Sequence, residues 1–222
     1  MSAPLVIGLT GNIACGKSTV LASLQQLGAE TIDADVVYHS LTRPGTPLWR
    51  RIKDRFGSDV LTTSGEIDRG ALGRIVFRDP TALRELDLLT HREVVDAILD
   101  QLARSAAAIL VIDAVKLFES GLANVCNEVW LVVCDREQQV ARLQARNHLT
   151  EREAQERVAA QPPPTNKLAR ADVVIDNSGT IDATVQQVRR EWRRFNSAYR
   201  VQTRSDIEDG EIANVAMIER NA

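Results

Sequence analysis

Little in this 222-residue chain pulls it toward a membrane, a nucleic acid or an oxidising compartment. No apolar run approaches the ~20 residues a bilayer span needs. The short apolar run near the N-terminus has no basic flank, so no signal peptide is expected. A formal net charge of −3 gives no general attraction to nucleic acid or an anionic lipid surface. The three cysteines are widely spaced and form neither an even disulfide framework nor a metal-ligand pattern. A reduced, cytoplasmic location is therefore expected. There are no internal repeats or low-complexity segments. A guanine-reading Asn-Lys-x-Asp motif is also missing, because Asn166-Lys167 is followed by Leu168-Ala169. That speaks against a guanine-nucleotide switch. A small-molecule substrate is the expected partner, and a monomer or weak homo-oligomer the expected state.

What is present centres on Gly11-Asn12-Ile13-Ala14-Cys15-Gly16-Lys17-Ser18. An apolar run, Leu5-Val6-Ile7-Gly8-Leu9, precedes it, and a helical pattern from Ser18 to Leu27 follows. Strand, glycine-rich turn and helix start form the context of a phosphate-binding loop. The bare pattern arises by chance in about 1% of chains this long, and the flanking elements cut that further. Gly11 permits a sharp turn. Gly16 lets backbone N–H groups close on a phosphate. The helix start adds unpaired N–H groups and a positive dipole end. Lys17 is expected on the β- and γ-phosphates of a bound nucleotide, and the Ser18 hydroxyl on Mg²⁺. Asn12 to Thr19 are the expected nucleotide-binding residues, for ATP by the resemblance given below: Asn12, Ile13, Ala14, Cys15, Gly16, Lys17, Ser18 and Thr19.

Further along, Glu30-Thr31-Ile32 reads as a second strand delivering Asp33 and Asp35. Ligands of open parallel sheets sit at carboxyl ends of strands. Each of these aspartates either caps the next helix or works on substrate. Turn residues 42–47 then open a mainly helical insertion, 42–104, with leucine and aromatic stripes read as core. His91 lies within it, as a structural side chain or a substrate contact. Ala108 to Asp113 is a continuous apolar run, the signature of a central parallel strand, and Asp113 at its tip is a candidate Mg²⁺ ligand. Lys116, Phe118 and Glu119 follow, close enough to line the same cleft. Val129 to Cys134 is a fourth strand.

Asp135 opens a helix carrying Gln139, Arg142 and Arg146, followed by a capping box at Thr150 and a helix ended by Pro162-Pro163-Pro164. That hairpin reads either as a solvated face or as a lid bringing arginine to a transferring phosphoryl group. Ala171 to Asp176 is a fifth strand, and Ile181 to Phe195 a closing helix whose arginines 189, 190, 193 and 194 read as its solvated face. The expected fold is a three-layer α/β/α sandwich with a five-stranded parallel sheet of P-loop kinase type. Residues 1–41, 105–136 and 171–200 form its core, 42–104 the helical substrate unit, 137–170 the lid and 201–222 a peripheral tail.

Taken together, these stretches resemble the dephospho-CoA kinase family. The resemblance is carried by "IGLTGNIACGKST", "TIDADVV", "LLTH" at 88–91, "LFESGL" at 117–122, the lid residues Gln139, Arg142, Arg146, Gln161 and Lys167, and "ADVVIDNSGT". It implies ATP-dependent phosphorylation of the ribose 3′-hydroxyl of dephospho-CoA. By the same resemblance Asp35 is the base, Lys17 and Arg142 act on the phosphates, and Asp33, His91, Phe118 and Glu119 receive the acceptor. The sequence departs from the family pattern at Arg92, at Val115-Lys116, and at Asn12 and Cys15 in the loop. A kinase for another nucleoside or nucleotide, and a nucleotide-dependent switch or binding module with no small-molecule acceptor, are the competing readings.

Overall fold

The computed structural model describes residues 4–199; the expected tail, 201–222, lies outside them. Five strands form one sheet: β1 (Leu5–Gly11), β2 (Glu30–Asp33), β3 (Ile109–Asp113), β4 (Glu128–Val133) and β5 (Val173–Asp176). All pair in parallel, in the order β2-β3-β1-β4-β5. Burial follows that order. Central β3 is buried at every position, whereas edge strand β5 alternates buried and exposed, as expected when only one face of an edge is covered.

The helices are α1 (Lys17–Gln26), α2 (Ala34–Leu41), α3 (Pro47–Phe56), α4 (Arg69–Val76), α5 (Pro80–Arg104), α6 (Arg136–Asn147), α7 (Glu151–Ala159), α8 (Thr165–Leu168) and α9 (181–199). Strand side chains alternate between faces, and so build two cores. Ile7, Leu9, Val111, Trp130 and Ile175 join Val20 and Leu24 of α1 and Val188 and Phe195 of α9 on one face. Val6, Leu110, Ile112 and Val129 join Val37 of α2 and Ile98 of α5 on the other. Three layers result. At Gly8 of β1 an added Cβ would come within 2.7 Å of Leu117 and 2.8 Å of the Cys126 sulfur, so the second core presses directly on that backbone.

The insertion is helical, as its periodicity predicts. Leu48, Ile52, Val60, Leu72 and Val76 make its own small core. Two expectations are corrected. Phe77, in a stripe read as core, is 84% exposed. A stripe at helical spacing looks the same whether it meets a core or an open cleft. The arginine face of α9 is not uniformly solvated either. Arg194 donates to both carboxylate oxygens of Glu128 at 2.9 and 2.6 Å. Glu128 is buried on β4 and also accepts from the Trp130 indole at 3.1 Å. A buried carboxylate requires such a partner.

Candidate active site

The glycine-rich loop, Asp33 and Asp113 lie at the carboxyl ends of β1, β2 and β3. β1 ends at Gly11, where an added Cβ would meet the Cys15 sulfur at 2.6 Å and the Val132 carbonyl at 2.7 Å. The loop that follows is therefore folded onto itself and onto β4. Cys15 is buried, and burial pushes its thiol up to about 11; it fills space as a neutral group. Ala14 and Gly16 both have left-handed backbone, with φ of +57° and +91°. A Cβ on Gly16 would fall 1.9 Å from the Asn177 amide nitrogen, so glycine is required there. α1 starts at Lys17 without any side-chain cap. Thr19 N–H donates to the Gly16 carbonyl at 3.0 Å, no side chain caps the rest of the turn, and the geometry favours an anion.

The acidic strand tips stand beside this loop. β2 and β3 pair with Asp33 opposite Asp113. Lys17 Nζ makes a short ion pair with Asp113. Even so, the Asp113 carboxyl is held above its ordinary value. Burial is the largest cause and outweighs the stabilising Lys17 ammonium, while Asp33 and Asp35 add like charge. The two aspartates of β2–α2 differ in their surroundings. Asp33 caps α2, accepting from the backbone N–H of Asp35 at 2.8 Å and of Val36 at 3.1 Å. Asp35 is exposed and lines a cavity.

That cavity has a volume of about 540 Å³ and lies between α2, the insertion and the tip of β3. Its walls are largely apolar, with Phe77, Leu86, Val94 and Val95 among them, and its polar groups include Asp35, Arg69, Asp87, His91 and Lys116. Asp35 and His91, 56 positions apart by their numbers, thus share one cleft. Phe118 does not line it: it is buried in the core with the Arg170 guanidinium 4.2 Å from its ring centre. Glu119 is exposed and also outside the cavity lining. Arg69 and Asp87 line it without having been singled out by sequence. Nothing in the local pattern separates a helix-start arginine that faces a cleft from one that faces water.

The hairpin of α6 and α7 closes over the other side of the loop. Thr150 and Glu153 form the expected capping box. Val140, Leu143 and Ala154 pack against Ile13 and Ala14, so the hairpin rests on the phosphate loop itself. Arg142 donates to the carbonyls of Asn177 at 2.9 Å, Cys15 at 3.3 Å and Ala14 at 3.4 Å, and to the side chain of Gln138 at 3.0 Å. Arg146 points elsewhere, bonding to Asn147 at 3.1 Å. Gln139, expected beside Arg142, is buried. Sequence spacing missed Asn177 as a support. Its side chain donates to the Cys15 carbonyl at 2.9 Å and accepts from the buried Thr184 hydroxyl at 2.7 Å.

A parallel sheet of this order, a glycine-rich loop opening an uncapped helix, and a lysine beside acidic strand tips together define a P-loop phosphotransferase of the small-molecule kinase type. Comparison with known proteins resolves the class further. A family model described as dephospho-CoA kinase matches residues 5–183. The dephospho-CoA kinase of Symbiobacterium thermophilum is 46% identical over 191 residues, 85% of this chain and 80% of that protein. That of Geobacter sulfurreducens is 44% identical over 194 residues, 86% of this chain and 98% of its own. Among solved structures, TT1252 from Thermus thermophilus superposes with a TM-score of 0.77 at 32% identity, covering 87% of this chain and 98% of its own. Dephospho-CoA kinase from Campylobacter jejuni superposes with a TM-score of 0.64 at 28% identity, with the same coverage. The chain belongs to the dephospho-CoA kinase family.

Proposed function

We propose the following division of labour for ATP-dependent phosphorylation of dephospho-CoA, the reaction of this family in coenzyme A synthesis. The loop from Asn12 to Thr19 holds the ATP phosphates, with the Lys17 ammonium turned from Asp113 toward them. The cavity between α2 and the insertion holds the acceptor, so residues 42–104 form the acceptor unit and 137–170 the lid. Asp35 orients the ribose 3′-hydroxyl and takes its proton. His91 contacts the acceptor from α5. Arg142 exchanges its carbonyl partners for the transferring phosphoryl group. The lid and the insertion together exclude water, which would otherwise take the phosphoryl group.

The residues fit a magnesium–nucleotide complex. Gly16 leaves the loop backbone bare, Ser18 follows Lys17 in the first turn of α1, and Asp113 meets the Lys17 ammonium, so both supply oxygen donors beside the loop. Ser18 and Asp113 would hold Mg²⁺ there, and its charge would offset the negative charge developing in transfer. Among the described residues no three His, Cys, Asp or Glu side chains converge as a metal site.

The observation that carries this reading is that Asp35 and His91 line one cavity next to the Lys17–Asp113 pair. A loose phosphoryl-transfer transition state needs alignment and neutralisation, and these groups supply both. The test is ADP release with and without dephospho-CoA. Turnover that rises only when the acceptor is added supports it. Equal ADP release in both conditions, or preference for another nucleotide acceptor, overturns it.

A further inference from the structure

Three long-range contacts converge on the strap that leaves α7 and runs into α8, and none is used by the roles above. The side-chain oxygen of Gln161 accepts from the backbone N–H of Ile13 at 2.7 Å. The Asn12 amide donates to the Pro162 carbonyl at 3.0 Å. Lys167 Nζ donates to the Val115 carbonyl at 3.1 Å. Asn12 and Ile13 belong to the phosphate loop, whereas Val115 lines the acceptor cavity. Between the two ends run Pro162, Pro163 and Pro164, whose rings fix φ and stiffen the connection. One short strap thus grips the loop at one end and the cavity wall at the other.

We infer that Gln161 is a positioning residue: through the Ile13 amide it fixes the crest of the phosphate loop, and the strap 161–167 couples that loop to the acceptor cavity. The inference rests on the proposed reading of the two sites. Ile13 immediately precedes Ala14, a non-glycine residue in left-handed backbone at φ +57°. That conformation is disfavoured for an L-residue and persists only where neighbours hold it. The Gln161 bond on one side and the Arg142 bond to the Ala14 carbonyl on the other do so. Loss of Gln161 frees one side, so the loop meets triphosphate less prepared. A change at the loop also reaches the cavity wall through Lys167, and by linkage the acceptor must then alter nucleotide affinity by the same factor.

The test uses the full chain. Amide hydrogen exchange at Ile13 is followed without ligand. Binding of AMPPNP with Mg²⁺ is then titrated calorimetrically, with and without dephospho-CoA. Gln161→Leu should speed exchange at Ile13 and weaken AMPPNP about fivefold, the worth of one net hydrogen bond. It should also shrink the effect of dephospho-CoA on AMPPNP affinity. Lys167→Met should shrink that effect while leaving Ile13 exchange unchanged. Unchanged Ile13 exchange in a folded Gln161→Leu protein overturns the inference, as does unchanged AMPPNP affinity. Acceptor coupling that survives Lys167→Met overturns the strap's role. If wild type shows no acceptor-dependent ADP release, the functional reading fails instead, and that result is separate from Ile13 exchange.

Discussion

Asp113 is the residue whose environment conflicts most with its charge. It is buried, it pairs with Lys17, and its carboxyl still lies above the usual range. An acid raised on folding binds protons more tightly in the folded state, so stability falls as pH climbs from its ordinary value, about 4, through the raised one. The destabilisation is complete above that window and absent below it. Asp113→Asn should therefore flatten the fall in ligand-free Tm across this window, although it also removes the ion pair. A wild-type-minus-variant Tm difference that rises with pH would contradict the argument. Such internal conflict is characteristic of sites poised to bind something else. Lys17→Ala should abolish turnover in the ADP-release assay with the circular dichroism of the folded chain retained, because its partner is a site residue rather than a core one. Asp35→Asn, on an exposed first turn, should reduce kcat far more than it weakens AMPPNP, and a variant with wild-type kcat would remove Asp35 from the base role.

At the scale of elements, the acceptor wall offers a prediction that separates binding from stability. Phe77 closes α4 and is 84% exposed while lining the cavity. It contributes little to the fold and has apolar area to give to a ligand. Phe77→Ser should leave Tm nearly unchanged and raise KM for dephospho-CoA about tenfold, a part of the burial energy of one aromatic side chain. A Tm loss with unchanged KM would place Phe77 in packing instead. The same residue shows where sequence reading stops. Strand tips and the phosphate loop were legible because their signals are local: a continuous apolar run ending in Asp113, or glycines at fixed spacing before Lys17. The capping box at Thr150 was legible for the same reason. Phe77 was not, because helical periodicity records which face is apolar and not what lies opposite. The Arg194–Glu128 pair was not, because it joins a helix and a strand far apart in sequence. The turn of Arg142 onto loop carbonyls depends on tertiary placement, as does the choice of Asp33 over Asp35 as cap.

For the whole molecule, the sheet works as a platform with the loop at its centre, the apolar cavity on one side and the α6–α7 hairpin on the other. Among the described residues no helix is long and apolar enough to cross a membrane. The described cores are built from clusters of buried hydrophobic side chains, so the fold is expected to stand without a metal. Chelation by EDTA should leave the Tm of ligand-free protein where it was. Ligands that bind only the folded state add stability by mass action, about 2.7 kcal/mol at a hundredfold excess over Kd. For a chain of 222 residues that is a rise in Tm of roughly 5–10 °C. ATP with Mg²⁺ should give such a rise and EDTA should remove most of it, because the loop and Lys17 alone leave part of the triphosphate charge unneutralised. Thermal scans of the four combinations of ATP and EDTA decide the matter. A drop in Tm on adding EDTA to the ligand-free protein would mean that the fold itself holds a metal, and the assignment of Ser18 and Asp113 to a nucleotide-borne ion would fall.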